Sequence, residues 1–184
     1  MAMLKPVDAQ NATDSVKTAF ERLERALGRV PEMINLMANS PSVLETYMHF
    51  NHALERTTLS PKTRALITVA IAEMNGCDYT LSLGMDLAKR QGVAEAELNA
   101  ARLGSSHDSK TNDLLHFATS IVRNAGRVPY VDLERLRRQG VSDQEIVEVI
   151  AAVALNLFRN YFNLVAGTDI DSPVVRTVRS EQPA

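Results

Sequence analysis

Signals for helix starts and stops recur along almost the whole chain, and they constrain its fold more than any other feature. Ser60 followed by Pro61 is typical of an N-cap and a first helical turn. Gly28, Gly92 and Gly140 each follow a segment with helical apolar spacing and suit the position just after a helix. This punctuation predicts an all-α fold.

The bounds of the predicted helices follow from these signals and from apolar residues at 3.6-residue spacing. The helices cover about 14–27, 40–54, 60–74, 77–91, 94–103, 109–124, 131–139 and 142–166. The helix that starts at Ser60 has little polar face, so we expect it to be buried. Residues 174–184 are polar, contain proline and lack periodicity. We therefore expect one helical domain over 1–173, followed by a tail whose order depends on docking.

Length and composition favour one domain and argue against several kinds of partner. A chain of 184 residues with 45% apolar residues is long enough for one well-buried core. Its 20 basic and 22 acidic residues are interspersed and give a formal net charge of -2. This balance provides no field that would hold nucleic acid or an anionic membrane surface. We expect neither as a partner.

The chain also lacks sequence signals for export or membrane insertion. A single cysteine excludes an internal disulfide framework, and the first residues lack the long apolar segment of a secretory signal. The most apolar stretch, 146–158, is shorter than the roughly 20 residues that a membrane-spanning helix needs. We expect a cytoplasmic protein without a transmembrane helix.

The last predicted helix is apolar on nearly every side between residues 146 and 158. A helix with this pattern has to be surrounded by other parts of the protein. In a chain of this size we do not expect neighbouring helices to surround it completely. Part of this helix, or of the helix that starts at Ser60, is therefore predicted to form a subunit interface in a homo-oligomer, with a dimer, a trimer and a hexamer all open.

Cys77 is the only cysteine of the chain, and it lies where a helix is predicted to begin, after a break at Asn75 and Gly76. The amides and dipole of a helix N-terminus lower the pKa of a thiol and favour a reactive thiolate. Free cysteine is also among the most frequently buried residue types, which favours a small core residue instead. The sequence leaves both interpretations open.

Two segments carry a resemblance to a known family. Residues 59–84 surround Cys77, and residues 154–163 are followed by a polar segment at 168–173. Together they resemble the carboxymuconolactone decarboxylase and alkylhydroperoxidase D-like family over about residues 40–173. The resemblance implies an alkylhydroperoxidase D-like helical bundle that is oligomeric.

The resemblance also implies where catalytic residues would lie. Peroxidase members of the family use a Cys-x-x-Cys pair, a histidine four residues after the second cysteine and a glutamate twelve residues before the first. In this chain Cys77 occupies the position of the first, resolving cysteine, whereas Thr80 replaces the attacking cysteine. Gly84 replaces the histidine, Ala65 replaces the glutamate, and Leu164 occupies a place that is often histidine in relatives. This joint replacement indicates a lost dithiol mechanism and a site refitted for a more apolar ligand.

Three functions remain open on this basis. The first is a family member that binds a small apolar or aromatic molecule without peroxidase activity. The second is a thiol peroxidase that uses Cys77 with an external reductant. The third is a decarboxylase-like lyase acting on a lactone or ring acid, for which Glu73, Asp78 and Tyr79 are the available acids or bases.

The remaining candidates are polar residues near the two segments. The predicted ligand-binding residues are Glu73, Tyr79, Thr80, Asn156, Asn160 and Tyr161. For the residues of the last helix, hydrogen bonds that fix the helix to its neighbours are an equally good explanation. His49 and His52 lie three residues apart, but a metal site would need further ligands that the sequence does not indicate. No metal and no cofactor are expected.

Overall fold

The computed structural model describes residues 2–178, and within that range it contains nine α-helices, one short 3-10 helix and no strand. The 3-10 helix spans Ala9–Asn11. The α-helices are α1 (Asp14–Leu27), α2 (Glu32–Met37), α3 (Pro41–Glu55), α4 (Pro61–Asn75), α5 (Asp78–Arg90), α6 (Glu95–Arg102), α7 (Ser109–Arg123), α8 (Tyr130–Arg138) and α9 (Asp143–Ala166). The prediction of an all-α fold is confirmed.

The helix ends follow the local signals of the sequence. The Ser60 hydroxyl accepts a hydrogen bond from the Thr63 amide at 3.0 Å, as an N-cap does. Ser142 and Glu145 form a reciprocal capping box at the start of α9. Gly76 ends α4 with a φ of 68°, a left-handed conformation that glycine adopts without strain, and the chain turns there into α5.

The helix α2 is not predicted by the sequence pattern. It has six residues, and it begins directly after Pro31. A helix this short is marginal on its own, since nucleation costs more than a few hydrogen bonds return. Burial of its apolar side chains stabilises it instead, and the buried residues are Met33, Ile34, Leu36 and Met37.

The helix α4 lies at the centre of the fold. It packs against α5, α6, α7 and α9. Its apolar side chains are fully enclosed, including Leu66, Ile67, Val69 and Ile71. The predicted burial of this helix is confirmed. Its central position brings its residues close to both α5 and α9.

The helix α9 has one buried face and one exposed apolar face. The exposed side chains that form this outer face are Val147, Ile150, Phe158, Tyr161, Leu164 and Val165. At about 100° per residue, these positions fall within one side of the helix, and the exposed Ala154 lies between Ile150 and Phe158 on the same side. The buried face packs against α3, α4, α5 and α7.

Among the described residues, α9 is also the one helix with the length and apolar composition of a membrane span. The core helix of a soluble protein meets the same criterion, and 44% of its most apolar window is buried inside the protein. The absence of a membrane span therefore stays a prediction.

The first part of the expected tail, residues 174–178, lies against α4, α5 and α6. The Ser82 hydroxyl accepts from the Val175 amide at 2.9 Å and donates to its carbonyl at 3.1 Å. The amide and hydroxyl of Thr177 both donate to Asp78 Oδ1 at 2.9 Å, and Thr177 is fully buried. This segment is therefore docked on the body of the chain, whereas the rest of the expected tail lies outside the described residues.

Candidate functional site

A cavity of about 470 Å³ lies between α1, α2, α3, α4, α5 and α9. Three of the lining residues are Ala65, Thr80 and Gly84. They occupy the positions at which the resemblance implies catalytic residues in peroxidase members of the family. Most of the remaining wall is apolar, with side chains such as Leu23, Leu27, Met33, Ile34, Leu54, Leu83, Leu87 and Leu155. The fold therefore brings the predicted positions together around one space.

Cys77 lies next to this cavity but not on its wall. It is the N-cap residue of α5, as predicted, and its side chain is only 1% exposed. Its Sγ donates to Thr80 Oγ1 at 3.3 Å. Burial raises the pKa of the Cys77 thiol and outweighs the opposing hydrogen bonds with Thr80. Of the two interpretations that the sequence left open, the structure supports the buried core residue.

Thr80 is held in place by the side chains of Cys77 and Asn163. Its Oγ1 receives the Cys77 Sγ and, at 3.2 Å, the Asn163 amide nitrogen. Asn163 Nδ2 also lies 3.3 Å from Met33 Sδ, and Asn163 Oδ1 accepts from the Thr168 hydroxyl at 2.9 Å. Sequence reasoning did not single out Asn163, although it ends the segment 154–163. The Thr80 side chain thus occupies a fixed position on the cavity wall.

Gly84 allows a close approach between α5 and α4. A Cβ atom added at Gly84 would lie 3.3 Å from Thr68 Cγ2, which is tighter than ordinary packing. Ala65 lies one helical turn before Thr68 on α4, and it also faces the cavity. Two small residues therefore stand where the resemblance implies histidine and glutamate, and neither can take or give a proton.

Asn156 is one of the buried residues that line the cavity. Its side chain is 3% exposed, and its Nδ2 donates to the Ala152 carbonyl at 2.9 Å. No described residue donates a hydrogen bond to its Oδ1. Asn160 has the same pattern, with Nδ2 donating to the Ile71 carbonyl at 3.2 Å and Oδ1 without a donor among the described residues. Asn160 does not line the cavity, so it fixes α9 to α4 instead.

Tyr79 lines the cavity at its α2 side. Its hydroxyl accepts from the Met33 amide at 3.1 Å. Burial is the main cause that raises the pKa of Tyr79 above the ordinary range, and the nearby Asp171 raises it further. The phenol therefore stays protonated near neutral pH and is a poor general base.

Three other predicted residues lie away from the cavity. Glu73 Oε2 pairs with Arg102 Nε at 2.6 Å, and its Oε1 accepts from the Val178 amide at 2.7 Å. Tyr161 and Leu164 lie on the exposed outer face of α9. Helical periodicity is the reason, since Asn156 and Asn163 are separated by two turns on the inner face, whereas positions 161 and 164 point elsewhere.

A polar cluster on α3 and α9 borders the cavity and was missed by sequence reasoning. Arg159 Nε donates to the Tyr47 hydroxyl at 2.9 Å, and its guanidinium lies 5.5 Å from the centre of the Tyr47 ring. The other arm of Arg159 donates to Asn51 Oδ1. His52 Nδ1 lies 3.1 Å from Glu55 Oε2 at the exposed rim. Within residues 2–178, no group of three or more His, Cys, Asp or Glu side chains is placed to hold a metal.

A second cavity of about 340 Å³ lies between the α5–α6 loop and His107 of the α6–α7 loop. Glu97 is buried there and accepts from Ser106 Oγ at 2.5 Å and from His107 Nδ1 at 2.6 Å. Lys62 Nζ lies 3.3 Å from the same carboxylate. Burial opposes ionisation of Glu97, but these hydrogen bonds outweigh it and lower its pKa from 4.5 to about 2. The carboxylate therefore anchors the loop.

Solved structures share this fold at low sequence identity. A protein of Ralstonia eutropha JMP134, described as an alkylhydroperoxidase AhpD core and an uncharacterized peroxidase-related protein, is 17% identical, with 92% of each chain covered and a TM-score of 0.85. The debrominase Bmp8, solved as a cysteine-to-alanine variant in complex with 2,3,4-tribromopyrrole, is 18% identical. That match covers 93% of this chain and 92% of the debrominase chain, with a TM-score of 0.79.

A shorter protein of Agrobacterium tumefaciens, ATU0492, described as a protein of unknown function, is 21% identical. The match covers 77% of this chain and 97% of that chain, with a TM-score of 0.63. Identities this low show the fold alone. The shared fold is an alkylhydroperoxidase D-like helical fold, so the fold that the resemblance implied is confirmed.

Part of the sequence also matches a family model. Residues 41–106 match the model of the carboxymuconolactone decarboxylase family. The match agrees with the resemblance, and the matched segment runs from the start of α3 to just beyond α6. It contains Ala65, Cys77, Thr80 and Gly84. A comparison with curated proteins gives no match.

Proposed function

We propose that this protein binds a small apolar or aromatic molecule in the cavity of about 470 Å³ and does not carry out a dithiol peroxidase reaction. The observation that carries the proposal is the composition of the wall. Ala65, Thr80 and Gly84 line the cavity, whereas Cys77 is buried beside Thr80 and off the wall. Threonine has no anionic nucleophile near neutral pH, and no residue at these positions can relay its proton.

The size and chemistry of the cavity support a small ligand. Pockets for small molecules occupy roughly 300–1,000 Å³ and combine apolar walls with a few oriented polar groups. This cavity has apolar walls over much of its surface, and its polar groups include Thr80, Asn156 and Arg159. Arg22, Glu55 and Arg64 also line it and are charged. A debrominase of the same fold has been solved with 2,3,4-tribromopyrrole, a small halogenated aromatic ring. That complex supports an aromatic ligand for this chain as well.

The two enzymatic alternatives have less support in the geometry. A peroxidase based on Cys77 would need an accessible thiolate, but burial encloses the thiol and raises its pKa. A lyase would need a free acid or base at the cavity. Glu73 and Asp78 instead hold the segment 174–178, and Tyr79 is a buried phenol whose hydroxyl already accepts a hydrogen bond.

The partner and location of the protein stay proposals. We propose that the exposed apolar face of α9 binds a second copy of the chain, because it carries Ile150, Phe158 and Tyr161 in one row. A cytoplasmic location is proposed from the sequence alone.

Calorimetric titration with a panel of small aromatic molecules tests the ligand-binding proposal. The panel includes bromopyrroles, naphthols and neutral alkylbenzenes. Ala65→Phe places a ring inside the cavity and is expected to weaken binding at least about 10-fold, because it fills the space that the ligand would occupy. Ala53→Phe is the matched control, since Ala53 lies on the exposed side of α3 and does not line the cavity.

The outcome separates specific binding from surface adsorption. Saturable binding to the wild type and to Ala53→Phe, with loss in Ala65→Phe, supports the proposal. Absence of saturable binding by every member of the panel, or equal affinity in all three proteins, would refute it.

A further inference from the structure

We infer that the ligand of the main cavity carries an anionic group, such as a carboxylate, on its apolar body, and that Arg64 and Arg159 bind this group. The inference deepens the proposed function and rests on it. It starts from the charged residues on the described wall of the cavity, which are Arg22, Glu55, Arg64 and Arg159. That wall therefore carries three guanidinium groups and one carboxylate around a largely apolar space.

Arg64 and Arg159 differ from the other half-buried arginines of the described chain. Those others are Arg29 and Arg102, and each of them forms an ion pair with a carboxylate. Arg64 and Arg159 are half-buried as well, but neither pairs with a carboxylate among the described residues. Removing a guanidinium from water is costly unless an anion compensates its charge. The two arginines on the cavity wall therefore lack the kind of partner that the other two have.

Both arginines are oriented by the protein and keep donors that no described residue uses. Arg64 Nη1 donates to the Leu59 carbonyl at 2.5 Å, which leaves its Nε and Nη2. Arg159 donates through Nε to Tyr47 and through Nη2 to Asn51, which leaves its Nη1. None of these remaining nitrogens is enclosed by the protein, so each is accessible to solvent. A guanidinium with a fixed orientation and free N–H groups binds a carboxylate through charge-assisted hydrogen bonds.

Glu55, the acidic residue on the described wall, does not neutralise these two arginines. Its side chain is 56% exposed, and its oxygens contact Asn51 Nδ2 at 3.2 Å and His52 Nδ1 at 3.1 Å on the same helix. Solvent and salt screen a charge at this exposed position more strongly than a half-buried charge. The wall is therefore expected to attract an anion and to favour it over an uncharged molecule of the same shape.

This arrangement predicts discrimination by charge between 2-naphthoate and 2-naphthamide, which have nearly the same shape. A carboxylic acid with an ordinary pKa of about 4 is ionised at neutral pH, whereas the amide is uncharged. Charge-assisted hydrogen bonds are stronger than neutral ones, so the wild type should bind 2-naphthoate at least about 10-fold more tightly. Because salt screens charges, this preference should fall as the concentration of NaCl rises.

Calorimetric titration with both probes at neutral pH tests the assignment. The double variant Arg64→Met and Arg159→Met removes both charges and keeps apolar stems of similar length. It should weaken binding of 2-naphthoate at least about 10-fold and change binding of 2-naphthamide by less than about 3-fold. Arg25→Met is the matched control, because Arg25 is exposed on α1, one turn after Arg22, and does not line the cavity.

The outcomes separate this inference from the proposed function. Equal affinity of the wild type for both probes overturns the inference and leaves a cavity that binds uncharged aromatics. A preference for 2-naphthoate that persists in the double variant, or that is lost equally in Arg25→Met, overturns the assignment to Arg64 and Arg159. If neither probe binds but a neutral member of the panel does, the inference fails and the proposed function stands. If no aromatic molecule binds, both fail. If the double variant does not fold, as checked by circular dichroism, the wild-type preference and its salt dependence decide.

Discussion

Alkylation of Cys77 in the folded protein is predicted to be at least about 1,000-fold slower than alkylation of an exposed cysteine. The thiol starts from an ordinary pKa of 9.0, and burial raises that pKa further. At pH 7 fewer than about 1 in 100 thiols would be ionised even without the shift. The side chain is also 1% exposed, so reagents reach it only after local opening. Opening of a core segment that costs about 4 kcal/mol slows the reaction a further 1,000-fold or so.

Labelling with iodoacetamide, followed by intact-mass spectrometry, measures this protection. The wild type is compared with Cys77→Ser carrying Ala53→Cys, which places one cysteine on the exposed side of α3. Denaturant should abolish the difference between the two proteins. Peroxide consumption by the wild type and by Cys77→Ser should be equal. Native labelling of Cys77 within 10-fold of the exposed control would refute the assignment of this thiol to the core.

Three further predictions concern contacts away from the cavity. Glu73→Gln weakens the contact with Arg102 and should lower the free energy of unfolding by about 1–3 kcal/mol in urea; an unchanged midpoint would contradict docking of residues 174–178. Because the folded-state pKa of Glu97 is depressed from 4.5 to about 2, its stabilisation should be fully present above pH 4.5 and disappear as pH falls toward 2. Glu97→Gln should remove about 1–2 kcal/mol of this pH-dependent stability, a figure reduced for the exposed partners of the carboxylate, and an identical acid transition would contradict it. Ile150→Glu on the outer face of α9 should shift sedimentation toward a monomer, whereas a monomeric wild type would contradict the proposed interface.

Helix positions could be predicted because their signals are local. The cap at Ser60 and the stop at Gly28 act over one turn of chain, and both appear in the structure as expected. The helix α2 could not be predicted in this way, because burial of residues such as Met33 and Leu36 stabilises it and burial depends on the rest of the fold.

The candidate site was predicted only in part. Ala65, Thr80 and Gly84 were found through the family resemblance, and their spacing along two packed helices brings them to one wall. The contact between Arg159 and Tyr47 joins residues 112 positions apart, and no local pattern reveals it.

The orientation of α9 was also beyond sequence reasoning. Its apolar residues surround the helix, so the pattern did not reveal that Asn156 faces inward and Tyr161 outward. The accessibility of Cys77 had the same limitation, since burial is set by tertiary packing and not by the position of a residue at a helix start.

Methyl-resolved NMR during titration with an aromatic ligand tests the central claim most directly. Ile34 and Leu155 line the cavity from α2 and α9, and their methyl signals report on its interior. The cavity is predicted to give saturable shifts at these methyls, and Ala65→Phe is predicted to abolish them. Shifts confined to methyls outside the cavity, or no saturable shift with any aromatic probe, would contradict a ligand-binding site in this cavity.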